Sequence, residues 1–162
     1  MNKPVFFCLA GLLLWNSGLF AQELLLEELP ALKDKAIVLK IDTKVEENSK
    51  AVMNTSSSKI TIPGRAVSIK LVGENLIIEI QFTPYLRSGK YTLVAQSQIW
   101  IKISEKEVSY KTTNHSMSMD LGEQILYLPL GTASDSNTSR IELLLTLYRY
   151  GEGPPAEEAE NQ

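Results

Sequence analysis

From Ala36 onward, apolar and polar residues alternate at period two through most of the chain. This is the spacing of half-buried strands, whose successive side chains point to opposite sides of a sheet. The pattern is clearest between Glu74 and Ile103. Leu76, Ile78, Ile80 and Phe82 share one face of a predicted strand, Leu76–Phe82, with Glu79 and Gln81 on the other. In a second predicted strand, Lys90–Ile103, Tyr91, Leu93, Ala95, Ile99, Ile101 and Ile103 share a face against Thr92, Gln96, Gln98 and Lys102. Pro84, Ser88 and Gly89 mark the intervening Thr83–Gly89 as a turn-rich link.

Around this pair the pattern predicts further short strands. Ile37, Leu39, Ile41, Thr43 and Val45 alternate with Val38, Lys40, Asp42 and Lys44. Glu46–Ser58 is polar, and Asn54–Ser58 within it reads as a loop. Lys59–Ile62 is a short strand closed by Pro63-Gly64, and Ala66–Val72 forms a hairpin with Leu76–Phe82. Val108–Thr113 follows the polar turn Ser104–Glu107, while Asn114–Gly122 fits no element cleanly. Glu123–Leu130 is short. Arg140–Tyr150 is apolar on both faces, the mark of a central or covered strand. Gln22–Lys35 reads equally as a short helix limited by Pro30 or as an edge strand.

Seven to nine short strands with regular turn signals and no long helix indicate an all-β chain, an antiparallel β-sandwich of residues 36–150. Leu86-Arg87-Ser88-Gly89-Lys90-Tyr91-Thr92-Leu93 resembles the E–F corner of immunoglobulin-like domains. That resemblance implies an immunoglobulin-like architecture, with Gly89 at the turn and the Tyr91 hydroxyl bonding back to the backbone where the chain crosses between sheets. The cysteine pair and the strand-C tryptophan of that family are missing.

The first residues change the picture of where such a domain works. Lys3 followed by the apolar run Val5–Trp15, the break Asn16-Ser17-Gly18, and Ala21 has the layout of a secretory signal peptide over residues 1–21. The run is too short for a spanning helix. Cleavage would remove Cys8, the only cysteine, so the exported domain would depend on its core alone. Residues 22–35 are then an N-terminal extension, and 151–162 an acidic tail expected to be disordered. The formal charge of −3 is concentrated there: Glu152, Glu157, Glu158 and Glu160 lie beyond Tyr150 with no base among them. The body between has as many bases as acids, and lacks the field that draws nucleic acid.

Candidate chemistry is thin. His115 is the only histidine, and its neighbours Ser116 and Ser118 do not make a triad, since adjacent strand residues face opposite ways and triads assemble from distant segments. No cofactor is implied. No metal is implied either: Asp135-Ser136-Asn137 lacks the later glycine and glutamate of a calcium loop. Asn54, Asn114 and Asn137 each begin an N-glycosylation sequon.

The most informative surface feature is Trp100. Regular alternation sets it on the polar face with Gln96 and Gln98, beside a neighbouring strand that shows Glu79, Gln81 and Ile77. A tryptophan on such a face can anchor a protein or stack on a sugar, whereas a bulge in this long strand would reverse the parity and bury the ring, and Gln22–Lys35 laid across the face would cover it. The expectation is an exported, non-enzymatic module that binds or assembles with another envelope or extracellular protein. The alternatives are a carbohydrate- or lipid-binding module and an eight-stranded outer-membrane barrel, which leaves membrane association and oligomeric state open.

Overall fold

The computed structural model describes residues 30–47, 50–131 and 140–152. The expected signal peptide, all but the first two residues of the acidic tail, and the sequon at Asn137 lie outside the described residues. One helical turn, α1 (Pro30–Lys33), precedes eight strands: β1 Ile37–Glu47, β2 Lys50–Thr61, β3 Val67–Val72, β4 Leu76–Arg87, β5 Lys90–Ser104, β6 Glu107–Met119, β7 Gln124–Tyr127 and β8 Arg140–Arg149. Pro30 opens the helix instead of breaking it, because the first helical position needs no N–H donor.

The strands form two four-stranded antiparallel sheets, ordered β2-β1-β8-β7 and β3-β4-β5-β6. Chain neighbours pair throughout, apart from the two crossings β2–β3 and β6–β7. The one long-range pairing is β1 with β8, which joins the two ends of the domain. The β-sandwich core is the set of inward positions that the alternation marks: Leu39, Ile41, Leu143, Leu145 and Leu147 from one sheet against Ile78, Ile80, Phe82, Leu93 and Ile99 from the other. As its two apolar faces require, β8 is central, between β1 and β7. Tyr127 of β7 ties the layers together. Its hydroxyl shares a buried 2.7 Å hydrogen bond with Ser97 Oγ of β5, and its ring meets Phe82 edge-on at 6.2 Å.

Three segments differ from the sequence expectation. Asn54–Ser58 is not a loop: it pairs with Lys44–Lys40 as part of β2. At a sheet edge the backbone ladder suffices, so apolar alternation is not needed for a strand. Thr83–Arg87 likewise continues β4 opposite Val94–Lys90. Pro84 is tolerated because its carbonyl accepts from Gly64 N–H at 2.6 Å. In an antiparallel strand a residue's N–H and C=O face the same side, so the missing donor faces the side on which β3 has not yet begun. Thirdly, Asn114–Met119 completes β6 opposite Gln96–Tyr91, with Met119 buried.

The turn at Ser88-Gly89, with φ of 52° and 81°, is a two-residue hairpin of the type whose twist matches the flanking strands. Gly89 therefore has a backbone role. The chain stays within one sheet at this point, unlike an E–F corner. Tyr91 sits half-buried opposite Leu86 and Met119 in the ladder.

Candidate functional site

The β4–β5 ladder is unbroken from Leu76↔Ile101 to Arg87↔Lys90, so no bulge reverses the parity at Trp100. The ring lies on the outer face of the β3–β6 sheet, half-buried by its neighbours. Register then determines what surrounds it. Val72 of β3 pairs with Ile77 of β4, Ile77 with Trp100 of β5, and Trp100 with Tyr110 of β6. These four side chains form one apolar row across the whole sheet. Trp100 and Tyr110 have ring centroids 5.4 Å apart, tilted by 40°. Val72 is 58% exposed, Ile77 37% and Tyr110 56%, and Val108 extends the patch one outward position along β6.

The next rows are polar and largely uncharged. Glu79 pairs with Gln98, between Lys70 and Thr112, and Gln81 pairs with Gln96, between Ser68 and Asn114. Trp100, Gln98, Gln96, Gln81 and Glu79 thus occupy one continuous face. Sequence reasoning missed Val72 and Val108, and named Tyr110 and Tyr85 only as residues whose convergence with Trp100 would favour a sugar, because alternation assigns a residue to a face but not to its cross-strand neighbours. The outward parity of Val72 against Leu71 was the available signal.

Tyr85 is on the same face but pairs with Thr92, roughly 27 Å along β4 from Ile77 at ~3.4 Å per residue, and does not join the aromatic pair. On the opposite side of the sheet, His115 stacks edge-on against Tyr127 at 5.5 Å. It faces away from Ser116, since the two residues pair with Ala95 and Val94 on opposite faces of β5. Among the described residues no three of His, Cys, Asp and Glu come together as a metal site.

Two spaces border the sheets among the described residues. A cavity of about 170 Å³ lies at one end, lined by Val45, Met53, Leu71, Leu76 and Ile141 among others. A cleft of about 470 Å³ runs between the β2 and β3 edges, lined by Ile69 and Leu71 and by polar side chains such as Thr55, Ser57, Lys59 and Lys70. No family model matches the chain, and neither does any curated protein or solved structure.

Proposed function

We propose that the protein is an exported, non-enzymatic β-sandwich that binds or assembles with another envelope or extracellular protein through the outer face of β3–β6. The observation that carries this is the row Val72–Ile77–Trp100–Tyr110, an apolar strip without cover among the described residues and bordered by the polar row Lys70–Glu79–Gln98–Thr112. Exposed apolar surface with a polar rim is the composition of a protein interface, and tryptophan and tyrosine are its usual anchors. The signal-like start of the chain supports export to the periplasm, the envelope or the extracellular space. An immunoglobulin-like architecture is proposed at the level of layering only, two antiparallel sheets around one core.

The alternatives have less behind them. The end cavity of about 170 Å³ is below the ~300 Å³ at which small-molecule sites begin, and the larger cleft between β2 and β3 is open and mostly polar in its lining, which counts against a lipid. Outward positions such as Lys40, Asp42, Lys44, Glu79 and Gln81 are unsuited to the hydrocarbon that surrounds an outer-membrane barrel. A carbohydrate module retains one favourable observation, the Trp100–Tyr110 pair beside Gln98 and Thr112.

The test is capture from envelope extract by the exported chain and by its Trp100→Ala/Tyr110→Ala variant. Loss of an aromatic anchor costs about 2 kcal/mol or more of affinity, so the variant should lose the specific partner while keeping a cooperative melt. Equal capture by both proteins would refute the reading.

A further inference from the structure

The exposed edge of β6 says which protein this face would meet first. β6 is the last strand of its sheet, and nothing among the described residues pairs with its free side. Sheet edges are normally blunted by proline, bulges or inward charges, because an open ladder invites another strand. Along Glu107–Met119 there is no proline, the only register shift lies at the very start, between Lys102 and Ser104 of β5, and the charges on the inner parity, Glu107 and Lys111, are of opposite sign and so block a strand only where like meets like. The stretch Glu107-Val108-Ser109-Tyr110-Lys111 is exposed throughout. Its pattern is acid, apolar, serine, apolar, base, which is complementary to itself when read backwards.

Resting on the docking role of this face, we propose that the protein pairs with a second copy of itself, β6 against β6, antiparallel about a two-fold axis at Ser109. In that register Glu107 lies directly opposite Lys111 of the second copy, Val108 opposite its Tyr110, and Ser109 opposite its own equivalent. Only residues of equal parity are matched, so outer faces meet outer faces. Neither Glu107 nor Lys111 has an ion-pair partner among the described residues, so each charge finds its first one across the axis. On the outer face, the row Val72–Ile77–Trp100–Tyr110 runs on to Val108 of the second copy, and the reciprocal row does the same. On the inner face, Ile101 pairs with Ser109, which brings the Ile101 side chains of both copies towards the axis. The two sheets become one, and the ladder of β6 gains partners for its free N–H and C=O groups.

The experiment is sedimentation of the protein as released by a secreting host, over a range of concentrations, with charge variants at the proposed axis. Glu107→Lys and Lys111→Glu should each raise the dissociation constant about tenfold or more, since like charges then face each other twice per dimer. The double exchange E107K/K111E should restore it. Within one strand these two residues are four apart and too distant to interact, so rescue reports a contact between copies. Ser109→Cys should form a disulfide dimer readily, and Asn114→Cys, away from the axis, should not. A protein that stays monomeric at every concentration overturns the proposal, as does a dimer indifferent to the charge exchange or one cross-linked faster through position 114. If the monomer still captures another protein in a Trp100-dependent manner, the second copy is excluded and the wider docking role stands.

Discussion

The outer faces of the two sheets are finished differently. On the β2-β1-β8-β7 sheet, charges are placed next to their partners: Lys40 Nζ lies 3.5 Å from Asp42, Lys44 Nζ 2.7 Å from Glu46, and Arg140 2.6 Å from Glu142. Ser56 adds a hydrogen bond to Asp42. On the β3-β4-β5-β6 sheet the outward residues are mostly glutamine, threonine and serine around a strip of large apolar side chains, with Lys70 opposite Glu79 and Lys102 beside Glu105 as the charges. Of the large hydrophobic residues that are exposed among those described, Val72, Ile77, Tyr85, Val108 and Tyr110 lie on this second outer face and Leu126 alone on the first. Both faces are attached to one well-packed core, so the difference is not a defect of folding. One face satisfies itself and the other leaves apolar area for something else to cover.

Substitution should separate core, interior hydrogen bond, docking face and ion-paired face by size of effect. Phe82 is fully buried between the layers, and Phe82→Ala should cost about 3–5 kcal/mol through the cavity it leaves. A thermal melt would show this as a fall of many degrees. Tyr127→Phe should cost about 1–3 kcal/mol, because the Ser97 hydroxyl is left buried without its partner. Denaturant titration resolves a change of that size. Trp100→Ala should be milder, about 1 kcal/mol, since the half-covered ring loses its contact with Tyr110 but opens no core cavity. A loss as large as that of Phe82→Ala would erase the distinction between the two faces.

The smallest effect belongs to the charged face. The bond to Lys44, together with its positive charge, holds the Glu46 carboxyl below its ordinary range, and the same contact raises Lys44. A depressed carboxyl contributes stability above its unfolded pKa and loses it as pH falls through the folded one. A raised lysine contributes below its unfolded pKa and loses it as pH rises through the folded one. Glu46→Gln should therefore narrow the difference between neutral and acid melts slightly, and salt should do the same by screening so exposed a pair. Melts at neutral and acid pH, with and without salt, check this.

Much of the fold and part of the face were legible from alternation alone. The inward set on β1, β4, β5 and β8, and the outward placement of Trp100 with its glutamines, follow from period two once no bulge intervenes. Only the end of the polar edge strand β2 from Lys59 was legible, because Thr55 and Ser57 reveal no face where neither side is deeply covered. The strand through Pro84 was hidden because its tolerance depends on which side of β4 the missing N–H faces, a fact of tertiary structure. The row itself needed register: Val72 and Tyr110 lie far apart in the chain, and only the hairpin turns fix them on either side of Ile77 and Trp100.

In the chain from Gln22 onward Trp100 is the only tryptophan, so its fluorescence reports on the proposed docking face without interference. The direct measurement is iodide quenching of that emission, in dilute protein and again when the face is engaged by a captured partner or a second copy. The account predicts a ring open to quenching when free and shielded when bound. A ring already shielded in the dilute, monomeric protein, or one equally open in the complex, would contradict it.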